Sequence, residues 1–380
     1  LSLHDALPIS GLTAAYVLQT QADVTLYEAD SRLGGHAHTH DLASGDRNYR
    51  VDSGFIVHNH RTYPYLLRLF AELGIATQPT EMSMSIDCAG CGLSYAGGRG
   101  PRGLFAQRRR LFDLRYLRML IEVPRFHRAA KQLLAADESE QPTWGEFLQN
   151  GRYSTYFIQH FALPLVSCVW SSGDADSAVF PARHLFQFLE HHGMLTVTGS
   201  PTWYTVVGGS RSYVDALVSR LPDARVATAV KSVRRLPDGV EVELHDGRLE
   251  RFDRAVIATH ANAALQMLVD ATETERADLD AIGYSANETW LHTDSAVLPA
   301  AKGAEASWNY RTEGCGSSSE RVLVSYWMNN LQRLDASEDF IVTLNAAGRV
   351  DESKVLARMN YEHPVFTHDA VAAAVRLREA

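Results

Sequence analysis

Residues 11–19, GLTAAYVLQ, repeat apolar and small positions at helical spacing, which predicts a helix able to lie close on a sheet. Residues 23–28, DVTLYE, alternate with Val24 and Leu26 on one side, the pattern of a strand. Helix, short loop and strand make half of a β-α-β unit. Residues 64–73, PYLLRLFAEL, predict a helix with Pro64 at its start and Gly74 as its C-cap. The stretch 104–136 is amphipathic at helical period, and 142–149 and 182–192 read as further helices, so 100–195 predicts a mostly helical insertion. Beyond residue 225 the pattern changes. VATAVKSVRRL, VEVELH and RLERFDRAVIATH read as strands joined by Pro237-Asp238-Gly239 and Asp246-Gly247 turns. Gly208-Gly209-Ser210 precedes a predicted helix over 212–220, and a small residue is placed to cap it. The blocks ETWLHTD, ASWNYR and RVLVSYWMN alternate like strands of a second sheet.

The 380 residues suit two interleaved domains or one large one. Hydrophobic residues make up 46% and charged residues 21%, so a sizeable core is expected rather than disorder. The formal net charge of −9 argues against nucleic acid as a partner, because phosphates call for clustered Lys and Arg. No apolar run approaches the length of a transmembrane helix, and no charged segment followed by an apolar one marks a secretory signal. Four cysteines do not make a disulfide framework, so a cytoplasmic location is the expectation.

A dinucleotide site on a β-α-β unit needs a glycine loop, a helix N-terminus for the pyrophosphate, and an acidic residue after the second strand for the ribose hydroxyls. Glu28 is placed for the last role, 17 positions after Gly11. The loop departs from the pattern. A G-x-G-x-x-G ending at Gly11 requires glycine at positions 6 and 8, where the chain has Ala6 and Pro8, and proline offers no N–H. Residues 1–7, LSLHDAL, do not read as a first strand either. Two readings follow: residues 1–8 are foreign to the rest of the chain, or the loop has diverged and does not bind.

From Glu28 the text runs Glu28-Ala29-Asp30-Ser31-Arg32-Leu33-Gly34-Gly35. This resembles the E-A-x-x-R-x-G-G pattern of the flavoproteins that include monoamine oxidases, protoporphyrinogen oxidases and phytoene desaturases. The resemblance extends over residues 9–380. Asp52-Ser53-Gly54-Phe55-Ile56-Val57 looks like the D-x-G segment beside the flavin ring, and Gly208-Gly209-Ser210 like the motif before a flavin-domain helix. Residues 226–230 are similar to the segment whose backbone contacts adenine, and 255–260, AVIATH, to a strand ending in A-T-G or A-T-P. His36 stands where most relatives have Arg or Lys, a departure that matches a bacterial subgroup of NAD/FAD-binding oxidoreductases. The glycine-rich segment that opens a last helix in relatives does not appear before Ala380.

The resemblance implies an α/β fold: a discontinuous, Rossmann-like FAD-binding domain from 9–60 and 200–265, interleaved with an α+β substrate domain from 61–199 and 266–380. It implies FAD as cofactor, held by Ser10, Gly11, Leu12, Glu28, Ala29, Arg32, Gly34, Gly35, His36, Gly54, Phe55, Ile56, Val230, Ala258 and Thr259. The implied reaction is hydride transfer from a C–H bond, next to nitrogen or in an apolar chain, to flavin N5, with no obligatory catalytic side chain. Members of the subgroup are similar to proteins found beside fatty-acid cyclopropanation genes, which adds a lipid-like small molecule to the implied substrates. The alternative is a flavin-free nucleotide- or lipid-binding protein of the same architecture, as in Rab GDP-dissociation inhibitors. An NAD-dependent dehydrogenase fits the pattern less well.

Other constellations change little at this level. His36, His38 and His40 would share one face of a strand, but no carboxylate or cysteine stands at a spacing that completes a metal set, and no metal is expected. His58 and His60 fit a surface loop or the active site equally well. Cys88-x-x-Cys91 reads as a hairpin tip, since Gly90 and Gly92 adjoin it; with Cys168 and Cys315 isolated in sequence it lacks a second pair. Arg108, Arg109, Arg110, Arg115, Arg118, Arg125 and Arg128 make one basic helix side, either a solvated face or a surface for anionic membrane. Phe161, Trp170, Trp203, Tyr204, Tyr326 and Trp327 fit a core or an apolar pocket. There is no Ser-His-Asp order, P-loop or H-E-x-x-H.

Overall fold

The computed structural model describes residues 9–137, 141–170, 178–197, 199–316 and 323–379. Among the described residues the helix Ser10–Leu18 comes first and leads to β1 (Thr25–Tyr27). β1 pairs in parallel with β9 (Asp223–Arg225), Leu26 opposite Ala224. This pair, the helix Ser10–Leu18 and the helix Arg211–Val218 are the observed parts of the α/β unit. Apolar residues of both helices, with Leu66, Leu69 and Phe70 of the helix Pro64–Leu73, form one cluster around Ile9, Leu12 and Tyr213. The helix Pro64–Leu73 keeps its predicted bounds, and Gly74 closes it at φ 71°, a left-handed conformation natural to glycine.

β2 (Thr39–Ser44) and β3 (Arg47–Asp52) form an antiparallel hairpin. β4 (Val57–Asn59), β8 (Trp203–Val206) and β5 (Thr77–Thr80) form a small antiparallel sheet. β10 (Val230–Leu236), β11 (Gly239–Leu244) and β12 (Leu249–Phe252) form a meander whose turns fall where Gly239 and Gly247 stand. The largest sheet draws on distant segments. Its order is β17 (Val355–Pro364), β13 (Tyr284–His292), β16 (Ile341–Leu344), β15 (Val324–Trp327), β14 (Trp308–Thr312), β6 (Met84–Cys88) and β7 (Leu93–Gly97). Only β14 and β6 run parallel in it, with Trp308 opposite Met84; the other pairs are antiparallel.

The helices of the insertion cover one face of this sheet. Ile86, Leu93 and Tyr95 meet Tyr116, Phe126, Trp144, Phe157 and Phe186 in the largest core cluster, and Phe126 touches seven other rings there. Trp170 and Trp203, two of the aromatics that fitted core or pocket, are buried here and beside His192.

Two predicted elements differ. The long helix spans Leu114–Ala135, not 104–136, because Asp113 accepts bonds from the N–H groups of Arg115 and Tyr116 and so caps it there. Pro124 lies within it on an exposed face and does not end it. Residues 255–260 form no ladder, since no strand among the described residues lies alongside to share hydrogen bonds.

Asp52, at the end of β3, ties these parts together. It is 1% exposed. Its carboxylate accepts from Thr39 Oγ1 at 2.5 Å, from Ser210 N–H at 2.9 and 3.0 Å, from Ser210 Oγ at 2.8 Å and from Gln332 Nε2 at 3.1 Å. The Asp52 N–H donates to Gln332 Oε1 at 2.8 Å. The anion therefore sits at the start of the helix Arg211–Val218, where the helix dipole favours it. Gly209 makes room: at φ 79°, any Cβ would stand 3.0 Å from Asp52 Oδ1. Asp52→Ala should cost about 3 kcal/mol or more, because four buried donors lose their acceptor at once. Urea unfolding of the variant against the parent protein measures this, and a loss below about 1 kcal/mol refutes it.

Candidate functional site

Glu28 follows β1 directly. Its backbone is held on both sides, by its own N–H to Arg225 O at 2.9 Å and by Thr228 N–H to its carbonyl at 2.8 Å. Ala227 N–H reaches Asp30 O at 2.8 Å, so segment 226–229 runs beside 28–30. Ala227 takes a left-handed φ of 49° to do so. The Glu28 carboxylate is half-buried, accepts the Asp30 N–H at 3.0 Å, and stands in none of the observed ion pairs. The predicted acidic residue is thus at the strand's end with acceptor capacity left.

The helix Ser10–Leu18 carries no side-chain cap at its N-terminus. Its Gly11 packs against neighbours on two sides. A Cβ there would lie 3.4 Å from Ala258 Cβ and 3.8 Å from Leu26. Gly11, Leu26 and Ala258 therefore converge. Ala6 and Pro8 lie outside the described residues.

After Ala29, which is exposed, the chain turns through Arg32-Leu33-Gly34-Gly35. The Arg32 guanidinium folds back on Gly35 O at 2.6 Å. Gly34 needs its glycine: at φ 108°, a Cβ would meet Ala37 O at 2.9 Å and Val214 at 3.0 Å. Gly54 needs its own for another reason. A Cβ there would fall 1.9 Å from His36 O, while Phe55 N–H bonds that same carbonyl at 2.9 Å. The D-x-G segment is thus pressed onto the backbone that follows Gly34-Gly35.

Around this contact lies a group of imidazoles and a phenol. Tyr361 of β17 receives or donates hydrogen bonds with His38 Nδ1 at 2.9 Å and Ser53 Oγ at 2.7 Å, and Ser53 Oγ meets His40 Nε2 at 2.8 Å. The His36 ring lies 4.8 Å from Tyr361 and 6.0 Å from both His260 and His363. His260 in turn stacks on Tyr284 and meets Glu362 at 3.0 Å. Burial holds the imidazole of His36 at about 4, helped by His363 and His260 nearby; that of His38 at about 3, helped by His40; and that of His40 at about 4, helped by Arg32. Each is a neutral ring at pH 7, and hydrogen bonds through Tyr361 and Ser53 join His38 to His40.

Several predicted residues contribute backbone rather than an aimed side chain. Leu12 is 4% exposed in the helix cluster, Phe55 packs against Tyr63, and Ile56 joins Val51 and Leu291. Val230 opens β10 with its side chain in the apolar cluster of the meander. Ala258 and Thr259 are exposed. His58 is buried with neither ring nitrogen hydrogen-bonded, whereas His60 is exposed and stacks on Tyr204 at 4.3 Å. Tyr361, Glu362 and His363 were not anticipated: Tyr361's partners lie 323 and 308 residues earlier and Glu362's lies 102 earlier, and the local cue is Y-E-H at the end of a late strand.

The isolation of Cys88-x-x-Cys91 is corrected by the structure. The pair does sit at the predicted hairpin tip, between β6 and β7, but Cys315 and His160 are folded against it. The basic helix side is also divided. Arg110 is buried and pairs with Asp113 at 2.7 Å, and Arg125 lies over the Tyr153 ring at 4.4 Å; Arg108, Arg109, Arg115 and Arg118 remain exposed.

Residues 9–338 match the family model described as flavin containing amine oxidoreductase. The chain belongs to that family. No curated protein sequence matches it. Among solved structures it is similar to cyclohexylamine oxidase from Brevibacterium oxydans IH-35A, at 15% identity and a TM-score of 0.65, covering 96% of this chain and 88% of that one. It is also similar to a CLA-producing fatty acid isomerase from P. acnes, at 15% identity and TM-score 0.64, covering 97% and 87%. Putrescine oxidase bound to putrescine aligns at 13% identity and TM-score 0.60, covering 89% and 73%. The mixed α/β architecture of this flavin amine oxidoreductase is therefore the expected one, nearly throughout.

The neutral histidines set a pH dependence. An unfolded imidazole titrates near 6.5, whereas burial holds His36, His38, His40 and also His58 at about 3 to 4. As pH falls through that window the unfolded chain takes up protons first, so stability present at pH 7 is lost toward pH 4. Asp52 acts the other way, since burial raises it to about 6, but one carboxyl faces four imidazoles. The protein should lose stability between pH 6.5 and 4, and His40→Gln should lose about 1 kcal/mol less over that interval. Urea midpoints at pH 7 and pH 5 check this; equal pH slopes for the two proteins count against it.

Proposed function

We propose that this flavin amine oxidoreductase binds FAD along the line from Glu28 through Gly34-Gly35 to Gly54, and oxidises a C–H bond of an amine-like or apolar substrate. The observation that carries the reading is the Glu28 carboxylate, held at the end of β1 beside segment 226–229 and outside every observed ion pair. In this reading Glu28 takes the adenosine ribose hydroxyls, and the backbone of 226–230 lies by the adenine. The N-terminal turn of the helix Ser10–Leu18 and the Arg32 guanidinium face the pyrophosphate, with Gly34 and Gly35 leaving space for it. His36, Gly54, Phe55 and Ile56 adjoin the isoalloxazine, and Ala258 and Thr259 close the far side.

When bound, the flavin supplies the hydride acceptor, and the chain positions the substrate and manages protons. His38 and His40 are neutral at pH 7 and joined through Tyr361 and Ser53, a hydrogen-bonded chain that can relay a proton an amine substrate releases. An amine and an unsaturated or apolar lipid both remain in the substrate class.

Contact with a membrane surface belongs to the lipid arm of this proposal. Leu114, Arg118 and Ile121 stand at helical spacing on the outer face of the helix Leu114–Ala135. Phe112, Leu114 and Ile121 are 86%, 81% and 74% exposed, with Arg108, Arg109 and Arg115 around them. Apolar side chains ringed by arginine suit an anionic lipid surface, although no helix among the described residues is long and apolar enough to cross a membrane.

Two measurements test the proposal. Glu28→Ala should weaken FAD binding by roughly 10- to 100-fold in a flavin fluorescence titration, the loss expected for charge-assisted hydrogen bonds. Parent protein that takes up no FAD would remove the enzyme reading in favour of a flavin-free binder. Separately, vesicles containing phosphatidylglycerol should retain the protein at low salt, and Phe112→Ser with Leu114→Ser and Ile121→Ser should release it. Equal retention of parent and variant would withdraw the membrane contact but leave the FAD site standing.

A further inference from the structure

Three segments far apart in sequence bring their sulfur and imidazole groups to one point. Cys88 ends β6 and Cys91 lies in the turn to β7. His160 lies in a π-helical turn, Ile158–Ala162, of the insertion, and Cys315 follows β14. The cysteine Sγ atoms and His160 Nε2 all lie within 4.8 Å of one another. Cys88 Sγ and Cys315 Sγ are 3.8 Å apart, Cys91 Sγ and His160 Nε2 3.4 Å, and Cys315 Sγ and His160 Nε2 3.5 Å. A tetrahedral zinc ion with Zn–S near 2.3 Å and Zn–N near 2.05 Å requires S···S edges of about 3.8 Å and S···N edges of about 3.5 Å. The three separations are those of such a site.

The surroundings support a ligand set rather than a chance grouping. His160 Nδ1–H donates to Tyr156 O at 3.0 Å, which fixes the tautomer and turns the Nε2 lone pair toward the sulfurs. The π-turn that places His160 departs from ordinary helix geometry, as such turns often do at functional positions. Tyr95 OH holds the same residue through its carbonyl at 2.7 Å. The turn itself is shaped for close approach. At Gly90 a Cβ would meet Gly314 Cα at 2.7 Å and Cys315 N at 3.0 Å, and Gly92 takes φ 62°. Its carbonyls are also held: Cys91 O by Arg110 at 3.0 Å, and Gly92 O by Gln107 at 2.9 Å and Arg109 at 3.0 Å. Three thiolates and a neutral imidazole around a dication carry a net charge of −1, so the two arginines stand beside it with complementary sign. Cys168 is buried elsewhere in the core and takes no part.

We propose that Cys88, Cys91, His160 and Cys315 form a structural zinc site. Four protein ligands leave no open position for substrate or water, so the ion acts as a staple and not as a catalyst. It would fasten the β6–β7 tip, the helical insertion and the end of β14 to each other. A set of three sulfurs and one nitrogen in this geometry selects zinc among the common divalent ions. Binding would release the thiol protons and is therefore strengthened as pH rises.

The test uses the full chain, produced in zinc-supplemented medium and purified without chelator. Elemental analysis should give about one zinc per chain. Cys91→Ser and Cys315→Ser should each lower that to about a tenth or less, while Cys168→Ser keeps it. If the variants do not fold, the parent protein decides. A mercurial thiol reagent should release its zinc to a chromogenic chelator, and cobalt in its place should show thiolate-to-metal charge-transfer absorbance. Chelation should lower Tm by about 5–10 °C. Protein free of zinc under these conditions, zinc undiminished in both Cys→Ser variants, or a Cys88–Cys315 disulfide found by mass spectrometry would each overturn the proposal.

Discussion

The buried carboxylate of Asp52 is the constraint on which the arrangement of the α/β unit turns. An anion out of water is costly unless dipoles surround it, and here they come from three directions: the Thr39 hydroxyl, the N-terminal turn at Ser210 and the Gln332 amide. Each donor lies on a different part of the chain. Satisfying them together fixes the β2–β3 hairpin against the helix Arg211–Val218 and against the connection between β15 and β16, where Gln332 lies. The Gly34-Gly35 turn and the D-x-G segment inherit their positions from this junction, because both adjoin the same hairpin.

The positions that hold the proposed cofactor do so mainly through backbone. Gly11, Gly34 and Gly54 matter because of what a Cβ would strike, and Ala258 because it is small enough to face Gly11. The chain keeps this architecture while sharing 12–16% identity with similar solved structures. Glycines at tight approaches and one acidic side chain suffice to define the path, and the surrounding apolar residues can vary as long as volume is kept. Burial keeps the imidazoles around Tyr361 uncharged.

Much of this was legible in the sequence where the cause is local. The helix Pro64–Leu73 could be read because its apolar spacing, its first proline and Gly74 all agree, and the hairpin at Cys88-x-x-Cys91 because glycines punctuate it. Glu28 could be placed because a strand pattern precedes it and glycines follow. What escaped the sequence is contact between distant residues. Nothing near Asp52 announces Gln332, 280 positions away, and nothing near Cys91 announces His160 or Cys315. The predicted strand over 255–260 forms no ladder for a related reason: its residues have the right composition, but a strand needs a neighbour to bond, and none lies alongside among the described residues. The start of the helix Leu114–Ala135 was misplaced because apolar periodicity runs on through the 3-10 turn before Asp113, and only the cap geometry decides.

The parallel pairing of β6 with β14 has a consequence for how the polypeptide comes into being. Trp308 lies opposite Met84, 224 residues later in the chain (308 − 84), so the edge of the early hairpin stays unpaired until those further residues have left the ribosome. At typical elongation rates that wait is on the order of ten to forty-five seconds. Throughout it, a half-built sheet with buried-type side chains is open to other nascent chains, and the insertion helices, whose contacts are local, are the natural temporary cover. Production at lowered temperature or with holdase chaperones should therefore affect yield far more than any change to the finished surface.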